Sequence, residues 1–125
     1  SLYPLPIGDL DEVSTHGYDR TPTMARNKDG LTLIVWSDRS ASGSTTDLYY
    51  VRGGLNAQTL SVEFSSPQVL GSHQTTAKAF YPAISQGKFG TMTVVWENNP
   101  GTSSSMSIYA STSDVTATTW STPVA

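Results

Sequence analysis

Apolar residues in this chain come in short runs, and none keeps a helical period. Leu31 to Trp36 and Thr91 to Trp96 are each nearly continuous, apolar enough to be buried on both faces. Around them, Gly, Pro, Asn and Ser recur every few residues and break the chain into strand-length pieces. The pattern predicts strands near Pro22 to Arg26, Leu31 to Trp36, Asp47 to Arg52 and Glu63 to Leu70. The turn signal Asn27-Lys28-Asp29-Gly30 separates the first two, and the Ser/Gly-rich stretch Asp38 to Thr46 is a loop. The same series follows: a turn near Gln86 to Gly90, strands at Thr91 to Trp96, Met106 to Ser111 and Thr119 to Val124, and a loop from Asn98 to Ser105.

The two series are copies. Shifted by 60 residues, Pro22-Thr23-Met24-Ala25 lies on Pro82-Ala83-Ile84-Ser85. Lys28 and Gly30 then lie on Lys88 and Gly90, Leu33-Ile34-Val35-Trp36 on Thr93-Val94-Val95-Trp96, and Leu48-Tyr49 on Ile108-Tyr109. Past Tyr109 the second copy is four residues shorter, and Phe64-Ser65-Ser66-Pro67 lies on Trp120-Ser121-Thr122-Pro123. A repeat of this length with four short strands is what a β-propeller blade looks like, and a blade must pack on neighbours. The expected fold is therefore all-β, two four-stranded antiparallel blades, with a β-sandwich as the alternative. Residues 18–77 and 78–125 are the two blades, and residues 1–17 form an N-terminal extension. Within it, Tyr3-Pro4-Leu5-Pro6-Ile7 is loosely similar to Phe64-Ser65-Ser66-Pro67-Gln68, which suits a strand that closes onto a neighbouring blade.

Composition narrows the function. Charged residues make up 14%, the net charge is -3, and no Lys/Arg cluster exists, so nucleic acid is not an expected partner. No apolar run approaches the roughly 18 residues of a membrane span. Pro4 and Pro6 stand where a secretory leader would carry a charged segment, so none is expected there. The absence of cysteine removes thiol chemistry and Cys-ligated zinc, and no cofactor is expected. His16 and His73 are the two histidines and are read as surface residues. Trp36 and Trp96 end equivalent strands and read as core, with Trp120 packed beside them.

The repeat resembles that of sialidase-like proteins, in Pro22-x-x-Ala25, Gly30, the Leu31 to Trp36 strand, Tyr49 and Phe64-Ser65-Ser66-Pro67. In the second copy, Ser111 to Trp120 is similar to the Asp-box of those blades, a Ser-x-Asp-x-Gly-x-Thr-Trp turn between third and fourth strands. Ser113, Asp114, Thr118 and Trp120 would be its members, although the Gly is missing and one residue is inserted. In the first copy, Arg52-Gly53-Gly54 to Phe64 holds that place and lacks the Asp. Tyr18-Asp19-Arg20-Thr21-Pro22 further resembles the motif that opens the first catalytic blade of sialidases, with Arg39 where a second arginine follows. The resemblance implies that Arg20 and Arg39 bind a substrate carboxylate, as planar guanidinium forks do well.

Departures from the family are as plain. The loop Ser40-Ala41-Ser42-Gly43-Ser44-Thr45-Thr46 lacks the acid/base Asp, and Asp47 reads as a strand-entry residue. Phe80 and Asn99 hold the Arg20 and Arg39 positions in the second copy, so neither arginine belongs to the repeat. The resemblance therefore implies a non-enzymatic carbohydrate-binding or adhesion module, extracellular or on a cell surface, with sialic acid or another acidic sugar as ligand. Two alternatives stand beside it: the N-terminal part of a sialidase or related glycoside hydrolase, and a structural surface or virion component. Two blades alone leave open faces, so the partners expected are further blades or further copies, as in small two-blade lectins that trimerise.

Overall fold

The computed structural model describes residues 16–40, 45–71, 78–99 and 106–125, and for residues 16–20, 40 and 62 the backbone alone. The described residues are all-β. Eight strands run in chain order: β1 (His16–Arg26), β2 (Thr32–Ser40), β3 (Thr46–Asn56), β4 (Ser61–Phe64), β5 (Gln68–Val69), β6 (Lys78–Gln86), β7 (Met92–Asn99) and β8 (Ser107–Thr112). They form one mixed, open sheet in the order β1-β2-β3-β6-β7-β8, with β4 and β5 also paired on β3. All pairings are antiparallel except β3 with β6, which meet in parallel at the single rung Thr46–Lys78. The sheet thus divides into two antiparallel units, β1-β2-β3 with β4 and β5, and β6-β7-β8. The closing strand expected at Tyr3 to Ile7 lies outside the described residues, as does the rest of the N-terminal extension up to residue 15.

The units repeat down to single bonds. Asn27 N–H donates to Leu31 O at 2.9 Å and Gly30 N–H to Asn27 O at 3.1 Å; Gly87 to Thr91 and Gly90 to Gly87 do the same at 2.7 and 3.1 Å. These turns need a left-handed residue, which Gly30 and Gly90 supply at φ 85° and 98°. Each first strand carries a bulge at one place, between Arg20 and Thr23 and between Phe80 and Ala83. Pro22 and Pro82 sit in these bulges, where the ladder does not need their missing N–H. Thr21 and Tyr81, the residues before them, have φ of 51° and 53°, a strained conformation held twice by the same context.

The outer edge repeats with the deletion predicted from the sequence. Gly53 pairs with Phe64 and Tyr50 with Gln68 in the first unit, and Ser113 with Trp120 and Ala110 with Val124 in the second. Ser65 and Ser121 play one part: each donates its N–H to the third strand, to Arg52 O and Thr112 O, and accepts the return N–H on its hydroxyl. The fourth strand is shorter than expected. In the first unit it is broken into β4 and β5 around Ser65 to Pro67, and in the second it is two isolated bridges.

Pleat parity shows how the units meet. In the first unit the odd positions of β2, Leu33 and Val35, share a face with Leu48 and Tyr50 of β3 and enter the core. In the second unit the even positions Met92, Val94 and Trp96 enter it instead. The units therefore pack front to back, one face of the first against the opposite face of the second. Leu70, Ala79 and Ala117 complete this core, and Tyr50 meets Trp120 edge to face with ring centroids 5.4 Å apart. Trp96 is core as predicted. Trp36 is buried too, on the other face of its sheet, against Tyr49.

Candidate functional site

The arginines singled out from the sequence lie at one end of the β1–β2 ladder. Arg20 stands opposite Ser37, and Arg39 opposite Tyr18, two rungs away. β2 runs on to Ser40, so Arg39, expected in a loop, is held on a strand, where its side chain is exposed. The strained bulge at Thr21 directly follows Arg20, and bulges of this kind bend a strand next to functional sites.

The register adds residues that sequence reasoning left aside. Arg39 also pairs with Thr46, which bridges to Lys78, itself opposite Asn99. One rung thus crosses both units as Tyr18, Arg39, Thr46, Lys78 and Asn99, and Lys78 is a third cation at this end. The neighbouring rung is Asp19, Asp38 and Asp47. Asp38 is buried at 4% exposure, and both it and Asp47 have interaction partners. The second unit has Ala79, Asn98 and Ser107 at the equivalent places, so this charge belongs to the first unit alone. Neither Lys78 nor the aspartate rung could be found by motif spacing, because only cross-strand register aligns residues so far apart in sequence. The expected loop between Asp38 and Thr46 is reduced to its middle, whose residues 41–44 lie outside the described residues.

Beside this end lies a seam between the units, lined by Thr46, Asp47, Leu48, Leu70, Ala79, Trp96, Asn98 and Tyr109. Its cavity of about 30 Å³ has room for water and not for a sugar ring. Trp96 and Tyr109 are packed together there with centroids 6.2 Å apart. Any sugar would meet the rim and its charges rather than enter between the units.

At the far end of the second unit the Asp-containing turn is built around Asp114. Its carboxylate accepts the Thr118 N–H at 2.9 Å, the Thr118 hydroxyl at 2.9 Å, the Thr116 hydroxyl at 3.1 Å and the Thr119 N–H at 3.4 Å. The Thr118 backbone bond leads in holding the Asp114 carboxyl well below the usual carboxylate range; desolvation opposes it, and the Thr118 hydroxyl, the Thr119 N–H and the Thr116 hydroxyl add to the lowering. Ser113 accepts the Met92 N–H on its hydroxyl, which ties the turn to β7. Trp120 packs on Tyr50, while its Nε1–H is buried without a hydrogen-bond partner. Ala117, at φ 55° and fully buried, takes the left-handed position that a Gly would fill. In the first unit Asn56 does related work, accepting Gln58 and Thr59 N–H groups on its side-chain oxygen at 2.9 and 3.1 Å.

A second cluster of cations lies between the two equivalent turns. Arg26, Asn27, Lys28, Gln86, Gly87 and Lys88 line an open cleft of about 400 Å³. Lys28 is paired with Asp29 at 2.8 Å, and Lys88 lies over the Phe89 ring. Among the described residues no group of three His, Cys, Asp or Glu side chains is placed to hold a metal. No helix among them is long and apolar enough to cross a membrane. His16 is described by backbone alone and His73 lies outside the described residues. What the geometry defines is an all-β tandem repeat with its unrepeated charge at one end. Set against known proteins, the chain matches no family model and no curated protein.

Proposed function

We propose that this chain is a non-enzymatic, sialidase-like propeller module that binds an acidic carbohydrate, as an oligomer or within a larger propeller outside the cell. The observation that carries this reading is the register, which gathers Arg20, Arg39 and Lys78 within two rungs at one end of the sheet. The two arginines are not repeated: Phe80 and Asn99 stand at their places in the second unit, which contributes Lys78 instead, where the first unit has Tyr18. Guanidinium and ammonium groups suit a sugar carboxylate, and the narrow seam beside these rungs leaves the ligand on the rim. The Asp114 turn supports the blade reading.

Titration with free N-acetylneuraminic acid, followed by amide chemical shifts, tests the proposal. Saturable shifts in the wild type are expected, and the Arg20→Ala/Arg39→Ala double variant should bind at least about tenfold more weakly. Equal binding by wild type and variant sinks the carboxylate reading. The aspartate rung favours one further reading, that these residues belong to a sialidase site, since a glycosidase needs carboxylates close to its anion-binding arginines. Release of fluorophore from a sialoside by the chain would establish it.

A further inference from the structure

We infer that the cleft between the two strand-joining turns is a second anion site, one that takes a sulfate or phosphate ester. It goes beyond the sialic acid reading and does not rest on it. Arg26 pairs with Thr32 where β1 turns into β2, whereas Arg20 and Arg39 pair with Ser37 and Tyr18 at the far end of the same ladder. The cleft is lined by Arg26, Asn27 and Lys28 of the first unit and by Gln86, Gly87 and Lys88 of the second. The whole chain has seven basic side chains and a net charge of -3, so three of the seven in one opening reverse the sign locally. Among the described residues no carboxylate lines it. Its volume of about 400 Å³ lies within the range of small-molecule sites.

Each cation is held by a contact of its own. The Arg26 guanidinium lies over Gly30, with one terminal nitrogen 3.2 Å from where a Cβ would stand, so a side chain at that position would push it away. Lys28 reaches across to the second turn, its Cε 3.6 Å from the place of a Cβ on Gly90. Lys88 lies over the Phe89 ring, 5.7 Å from its centroid. Between them Asn27 is a fixed floor, 5% exposed and bonded to both turns. Charges placed this way lose less side-chain entropy on binding than free surface lysines do.

The donor set selects the ligand. One guanidinium fork satisfies both oxygens of a carboxylate. Here the fork comes with ammonium groups from both turns and the neutral amide of Gln86, which suits the three terminal oxygens of a tetrahedral ester. Asp29 is the competitor, since its Oδ1 holds Lys28 at 2.8 Å. Among the described residues no carboxylate pairs with Arg26 or Lys88.

Titration of the whole chain at constant ionic strength, followed by amide chemical shifts, tests this with inorganic sulfate, galactose 6-sulfate and glucose 6-phosphate as probes. Saturable shifts are expected at Lys28, Gly30, Gly87 and Lys88, and none with galactose. Arg26→Gln, which copies Gln86, and Lys88→Gln are both at exposed side chains and should stay folded by circular dichroism. Each should weaken binding at least about tenfold. Asp29→Asn releases Lys28 and should tighten binding about threefold, a gain that a merely structural turn would not give. Arg52→Gln removes an equal charge outside the cleft and should change affinity less than about twofold. A preference for either ester upholds the inference and names its source as a sulfated or a phosphorylated sugar. Failure of all three anions to saturate overturns it, as do Arg26→Gln and Lys88→Gln proteins that bind like wild type. An Arg52→Gln loss as large as theirs overturns it too, because net charge and not the cleft would then attract the anion. The sialic acid titration reads Arg20 and Arg39 at the other end of the ladder, so the two proposals fail separately.

Discussion

Asn27 ties the two units together with one carboxamide. Its Nδ2 donates to Gly90 O at 3.1 Å and Val115 O at 3.0 Å, and its Oδ1 accepts from the N–H groups of Asp29 and Leu31 at 3.0 Å each. The residue is 5% exposed, so water does not replace these bonds easily. Asn27→Ala leaves two carbonyls and two N–H groups without that partner and is expected to cost about 3 kcal/mol in urea unfolding. A loss below about 0.5 kcal/mol would show that the turns relax to find water. Leu60 is the converse case, an exposed residue in the wrong conformation. It closes the Asn56 turn by donating its N–H to Asn56 O, at φ 57° and 76% exposure. Little burial is lost on truncation, so Leu60→Gly should raise stability by about 1 kcal/mol and the melting temperature by about 4 °C. Neither role was legible in the sequence. Asn27 looked like an ordinary turn residue, and nothing in a run of Ala57 to Leu60 announces a left-handed Leu.

At the level of elements, the strands were legible and their lengths were not. Leu31 to Trp36 marked a strand by its apolar run, yet β2 continues through Ser37, Asp38 and Arg39, because pairing with both β1 and β3 overrides the poor strand propensity of those polar residues. The fourth strands were overestimated for the reverse reason: they have one neighbour, and Pro67 and Pro123 interrupt what ladder there is. Gly53 shows how tight that edge is, since a Cβ there would run into the backbone of Glu63 and Phe64. The turn at Asp114 yields a pH dependence. Its carboxyl is held below the ordinary carboxylate range in the folded state, first by the Thr118 N–H. A group depressed on folding adds stability above its unfolded pKa, about 4, and loses it as pH falls through the folded value. Asp114→Asn keeps an oxygen for the backbone bonds and removes the charge. Melting temperatures recorded from neutral pH downward should therefore converge below about pH 4, the variant lying under the wild type above it. Parallel curves throughout would show that the charge contributes nothing to the turn.

For the molecule as a whole, the repeat was readable because Pro, Gly, Trp and Tyr recur at backbone positions that only they fill well. The direction of packing was not, since parity decides which face is core, and both Leu33-Val35 and Ile34-Trp36 are apolar. The same ambiguity hid the charged rungs: Asp19, Asp38 and Asp47 become neighbours only once three strands are in register. Front-to-back packing also governs how the molecule unfolds. Leu33 and Val35 sit on the first unit, but the surface they cover, Met92, Val94 and Trp96, belongs to the second. If either unit opened alone, it would expose the core of both, so no half-folded state is favoured and the chain should unfold in one transition. Leu33→Ala, at a fully buried site, is expected to cost about 3 kcal/mol. The loss should fall on both units together: amide exchange should speed up in β7 as much as in β2, although β7 is untouched by the substitution. Exchange that quickens in the first unit and holds its wild-type rate in β7 would mean that each unit carries its own stability. The shared core makes that outcome physically costly, because the second unit would then have to keep Met92 and Trp96 in water.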